Sequence, residues 1–157
     1  MFDITLARAL HVGAVGHWIG GGCFVTLVLL PGVRSLTEPA ERARIFAAIE
    51  SAFSWQAKIS VTVAGLTGFY ITHGLAAWGR FLDPGFWWMH AMVAIWLVFT
   101  IVLFVLEPLY LDRWFSRQMH AQPARTMAIV QRGHLVLMTL SLITVLAAVL
   151  GSHGAFY

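Results

Sequence analysis

The sequence predicts an all-α integral membrane protein, a four-helix up-down bundle forming a single domain over residues 1–157. Three observations carry this. Of 157 residues, 59% are hydrophobic and only 11% charged, too few charges to cover a water-facing surface of that size. Four apolar runs, at about 5–30, 56–79, 86–111 and 128–151, each exceed the ~20 residues a helix needs to cross a bilayer at ~1.5 Å per residue. Backbone groups in lipid must pair within their own segment, so such runs are helices.

The first run carries LHVGAVGHWIGGGCF and is expected to end at Pro31-Gly32. The segment SLTEPAERARIFAAIESAF (35–53) follows. It predicts an amphipathic helix at about 37–53 lying on the membrane surface. Ser35 or Thr37 serves as its cap, Pro39 suits its first turn, and Ile45, Phe46, Ile49 and Phe53 form its apolar stripe. Asp83-Pro84-Gly85 separates the second run from the third, and Pro108 and Pro123 bracket the connection to the fourth. With four crossings, both termini share one side. The opposite side holds Arg34, Arg42, Arg44, Lys58, Arg113, Arg117, Arg125 and Arg132, against Arg8 and Arg80 on the side of the termini. That imbalance makes the basic side cytoplasmic. The expected location is thus a bacterial inner membrane, with the N- and C-termini outside, in the periplasm, and the surface helix in the cytoplasm.

Several functions are disfavoured. The basic residues are spread over membrane boundaries, which gives no footprint for nucleic acid. A single cysteine, Cys23, excludes a disulfide framework. No Walker loop, dinucleotide fingerprint, CxxC pair or nucleophile–histidine motif occurs, so nucleotide and hydrolytic chemistry lack support.

The histidines carry the functional signal. Of seven, only His120 is expected in a loop. His11, His73 and His90 fall near the periplasmic ends of three different helices, with His153 at the exit of the fourth. His17 and His134 reach similar depths further in, which allows an inner site. A polar ring in hydrocarbon costs free energy unless satisfied, so three at one depth suggest a shared ligand. His11, Trp18 and Gly22 share one helix face, while Gly16 and Gly20 form a GxxxG pair near the other. Thr62, Leu66, Phe69 and His73, and likewise His134, Ser141 and Ser152, mark the expected bundle-facing sides of helices 2 and 4.

Neutral imidazoles suit iron, copper and zinc. With one thiol and no intramembrane carboxylate expected, an iron–sulfur cluster, a di-iron carboxylate centre and a hard-cation site are disfavoured. Haem b between two histidines fits the set best, with one haem at the outer site on His11 and His90 or His73, and a possible second on His17 and His134. Gly13, Gly65, Gly68 and Ala94 are expected to leave room for the ring, Trp18 to join the binding set, and Arg80, beside Asp83, to contact propionates or a quinone headgroup. Met89 and Met92 flank His90, which keeps a copper site of mixed His and Met ligands as the alternative.

Helix 1 resembles the opening helix of the copper resistance D family and of the related membrane-type protoporphyrinogen oxidases. Leu10-His11, Trp18-Ile19-Gly20-Gly21 and Leu30-Pro31 match their Leu-His start, Trp-x-Gly-Gly centre and Leu-Pro exit. In the third helix, Trp88, His90 and Ala91 are similar to the oxidase opening, but Met92 stands where that family carries a lysine, which weighs against the protoporphyrinogen reaction. The resemblance covers helices 1 and 3. It implies a four-helix protein that binds b-type haem with His11 as a ligand.

The function expected is therefore a small membrane cytochrome, an oxidoreductase in the electron-carrying sense, exchanging electrons with quinone or a periplasmic carrier. The alternatives are a copper-handling protein, an enzyme like the oxidases, and a structural subunit of a larger complex. Homo-oligomers are compatible with each.

Overall fold

The computed structural model describes residues 2–35 and 38–156, apart from the side chains at 34, 35, 39, 40, 43, 112 and 120. Among these residues there is no strand. Three helical stretches are long and apolar enough to cross a membrane: Phe2–Val33, Pro84–Leu111 and Pro123–Ser152. Leu66, Leu97, Ile101, Val136, Ile143 and Leu146 all lie exposed, and such a surface calls for lipid around it.

Helix α1 (Phe2–Phe24) does not stop at Pro31. It widens into a π-helical turn at Val25–Leu29, where the Leu30 N–H reaches back to the Val25 carbonyl, and continues as α2 (Leu30–Ser35). A proline ring collides with the carbonyl four residues before it. For Pro31 that residue is Leu27, inside the widened turn, so the π geometry relieves the clash and the helix passes through. The same happens at Pro108. Its clashing carbonyl belongs to Phe104, and the π-helical segment Val102–Leu111 surrounds both. The expected terminator at 31 is thus a bulge, and Pro108 is inside a helix rather than bracketing a loop.

The expected surface helix and second span are one helix, α3 (Pro39–Gly74), of 36 residues. No proline or glycine occurs between 40 and 64 to interrupt it. Its N-cap is Glu38, without a side-chain bond, while Ser35 belongs to α2 and Thr37 lies outside the described residues. Ala76 turns the chain in the left-handed region (φ 49°), and two short 3₁₀ turns, Ala77–Leu82 and Pro84–Phe86, lead into α4 (Trp87–Ile101). Beyond the π segment come α5 (Asp112–Ala121) and α6 (Pro123–Ser152). His120 is therefore helical, not in a loop.

Helix α1 packs along α3 and touches α6, while α4 packs on α6 and α3, which puts α1 and α4 at opposite corners. The core forms three layers. At one end Val25, Leu30, Val33, Phe46, Met119 and Met127 gather α2, the first half of α3, α5 and the start of α6 into a cap. Trp18, Ala57, Val61 and Leu103 fill the middle. Trp88, Met89 and Ala147 close the opposite end, the rim, where the Asp3–Tyr70 and Trp87–Phe156 contacts bring both termini beside the 75–86 turn.

Candidate functional site

Both histidines of α1 turn onto α3. The His11 Nδ1–H donates to the Ala64 carbonyl at 2.9 Å and to Thr67 Oγ1 at 3.2 Å; the Thr67 hydroxyl in turn donates to Val63. A carbonyl can only accept, so Nδ1 carries the proton and Nε2 keeps its lone pair. Gly68 lies against this ring: a Cβ there would sit 3.2 Å from His11 Cε1. Two turns deeper, His17 Nδ1 pairs with Ser60 Oγ at 2.9 Å. The register of α3 produces both contacts. Ser60, Ala64 and Thr67 recur at i, i+4 and i+7 and so form one stripe facing α1.

The other histidines lie apart. His134, half-buried on α6, donates from Nδ1 to Val130 one turn back, and His153 does the same to Val149. His73 and His90 are exposed, His90 with the Phe81 ring edge-on at 5.2 Å. Among the described residues no group of three or more His, Cys, Asp or Glu side chains is placed to hold a metal ion. The common depth of His11, His73 and His90 is thus not matched by a three-residue metal-holding group among the described residues.

Several supporting expectations change. Thr62, Leu66, Phe69 and His73 form an outward face of α3, not a bundle-facing one; the buried stripe is Ala57, Ser60, Val61 and Ala64. On α6 Ser141 is buried as expected, with Thr144 buried beside it, whereas Ser152 is exposed. Gly65 makes no empty space, since Trp96 occupies it and donates Nε1–H to the Val61 carbonyl at 2.9 Å. Gly16 and Gly20 do not bring helices close within this chain: nothing lies within 4 Å of where their Cβ atoms would be, and with His17, Phe24, Phe53 and Gln56 they line an open groove of about 500 Å³ between α1 and α3. Trp18 is buried in the middle layer, edge-on to Phe99 at 4.6 Å. Arg80 sits over the Phe86 ring at 5.1 Å, and Asp83 Oδ1 accepts from the Gly85 N–H at 2.8 Å, so both have local roles in the rim turn. Met89 is buried against Trp88 and Ala147 with Met92 packed on them, while neighbouring His90 is exposed. These methionines are packing residues.

One site was absent from the sequence expectations. Glu107 lies within the spanning stretch Pro84–Leu111, contrary to the expectation that such carboxylates are missing. Its Oε1 accepts from Lys58 Nζ at 3.0 Å and from the Ser54 hydroxyl. The two charged side chains retain 25% and 22% of their exposure. A single Glu in an otherwise apolar run, one residue before a proline, was the available signal.

No protein-family model, curated protein or solved structure matches this chain.

Proposed function

We propose that this chain is a small b-type cytochrome of the bacterial inner membrane that exchanges electrons with the quinone pool or a periplasmic carrier. The observation that carries it is His11. An imidazole anchored through Nδ1–H to a backbone carbonyl, with Nε2 left as a lone-pair donor in an apolar span, is held as metal-ligating histidines commonly are, the carbonyl fixing the tautomer and the ring. The donor chemistry of His11, His17 and His134 fits haem iron, and the likeness of helices 1 and 3 to haem-binding families points the same way. The space is uneven. Gly65 and Gly68 are occupied by Trp96 and His11, whereas the groove beside His17 is open. His11 would hold the outer haem with His90 or His73, and His17 with His134 an inner one. When bound, haem supplies reversible one-electron chemistry. The chain's own residues orient the imidazoles and exclude water.

In the membrane this reading uses four crossings, with α3 as the second, in up-down order with both termini in the periplasm. It rests on the excess of arginine at the capped end. The decisive experiment is an absorption spectrum of purified protein expressed with haem supplied, before and after dithionite. A Soret band and a reducible alpha band are expected, and their absence overturns the proposal.

A further inference from the structure

The Lys58–Glu107 pair takes no part in the histidine chemistry, and it joins α3 to the spanning stretch Pro84–Leu111. About one helical turn beyond the pair, toward the rim, a second groove of about 250 Å³ opens between α3 and α4. Thr62, Leu66 and Phe69 form one wall, and Trp96, Thr100 and Phe104 the other. Lys58 is one turn below Thr62, whose hydroxyl donates to the Lys58 carbonyl at 2.8 Å, and Glu107 is one turn below Phe104. The groove is therefore an apolar channel open to lipid with a polar end. From Thr62 to Phe69 it runs for roughly 10 Å along the helix axis.

We propose that this groove binds an isoprenoid quinone, with the tail along Leu66, Phe69 and Phe104 and the headgroup against Lys58 and Glu107. The charge balance selects the headgroup. An ammonium and a carboxylate in contact sum to zero, so an anionic phospholipid headgroup gains no net attraction, while a neutral group that needs both a donor and an acceptor is matched. Lys58 gives one of its three N–H groups to Glu107 and has others for a quinone carbonyl. Both bonds to Glu107 end on Oε1, and no described residue bonds Oε2, which leaves it to accept from a quinol hydroxyl. The aromatic wall of Trp96, Phe69 and Phe104 suits a flat ring and a branched unsaturated tail. The π-helical segment around Pro108 makes the site possible: it changes the angular register of α4 after Ile101 and carries Glu107 round to Lys58. This deepens the cytochrome reading by naming the site of its quinone, but the binding itself does not depend on haem.

The test is photolabelling of the full chain in lipid nanodiscs with an azido-quinone bearing a two-isoprene tail, followed by peptide mapping. Labels are expected on peptides that contain Lys58 and Glu107, displaced by unlabelled quinone and not by phosphatidylglycerol. The charge-neutral double variant Lys58→Met, Glu107→Gln, which leaves no unpaired charge to disturb folding, is expected to weaken displacement by about tenfold, the effect of losing one charge-assisted hydrogen bond. Labelling elsewhere, equal displacement by phosphatidylglycerol, or an unchanged double variant overturns the quinone site. Haem-free protein that still labels here overturns the cytochrome reading and leaves the site standing. Haem-loaded protein that fails to label does the reverse.

Discussion

His11 and Trp88 show how little a residue's identity says until its partners are known. In sequence both belong to the motifs that resemble haem proteins. In the structure His11 is bonded on one nitrogen and free on the other, while Trp88 Nε1 is buried with no hydrogen-bond partner, the sole such side-chain atom among the described residues. An unsatisfied buried N–H costs about 1–3 kcal/mol. Trp88→Phe removes the donor but replaces the bicyclic indole with a smaller phenyl ring, so relief of the unsatisfied N–H is set against lost packing, and thermal unfolding in detergent is expected to shift by no more than about 1 kcal/mol. Gly151→Ala only destabilises: its new methyl would collide with that indole, and overpacking of this kind costs roughly 1–3 kcal/mol. Charge pairing gives a third expectation. Glu107→Gln leaves the Lys58 ammonium unpaired, and at this partial exposure the loss is roughly 1–3 kcal/mol, below that of a fully buried pair. Adding Lys58→Met should recover most of it, and a double-mutant cycle on the same unfolding curves measures the coupling. Singles that simply add to the double would mean the pair is not coupled. For the haem proposal the corresponding contrast is His11→Ala, expected to abolish the outer haem band or turn it high-spin, against His120→Ala, expected to leave the spectrum unchanged.

The helices themselves were legible because apolar runs of spanning length have few alternatives in lipid; their junctions were not. Proline was read as a terminator at residues 31 and 108 because that rule assumes α geometry throughout, and a π turn removes the clash on which it rests. An amphipathic helix at 37–53 and an apolar run at 56–79 read as two elements, although nothing in the backbone chemistry between 40 and 64 breaks a helix. The site was legible only as depth. Residue numbers along a helix give the height of a side chain, but its bearing depends on which stripe the neighbour covers, and α3 turned Ser60, Ala64 and Thr67 toward α1 and His73 away. Glu107 is masked in the sequence pattern because its run is apolar on average. The continuity of α3 makes a measurable expectation. Ala47 and Thr62 are both exposed and 15 residues apart along one rod, so spin labels there should give a narrow distance distribution centred near ~22 Å, adjusted for the label linkers. A surface helix joined to a separate span would give a broad or much shorter one.

How the chain crosses the membrane turns on α3, the long helix that is not among the three long and apolar enough to span by composition. Its C-terminal half is packed along α1 and touches α4, with Lys58 at one end of that stretch and the 75–86 turn at the other. If that half crosses, the chain makes four passes and α5 lies on the side opposite both termini. If it does not, there are three passes, the termini lie on opposite sides, and α5 falls on the side of the N-terminus. Two features favour four. Asp3 bonds Tyr70 and Trp87 meets Phe156, which keeps the two termini and the turn at one end of the molecule. Arg113, Arg117 and Arg125 also gather at the capped end, which the positive-inside rule assigns to the cytoplasm. At about 36 residues and ~54 Å, α3 is long enough to cross a ~30 Å core and still extend beyond it into the cap. Single-cysteine variants in a Cys23→Ser background separate the two arrangements. With four passes, an impermeant maleimide added to intact spheroplasts should modify both Phe2→Cys and Ala155→Cys and leave Arg117→Cys unmodified until the membrane is opened. Labelling of only one of the two terminal positions from outside, with Arg117→Cys sharing the behaviour of Phe2→Cys, would establish three passes.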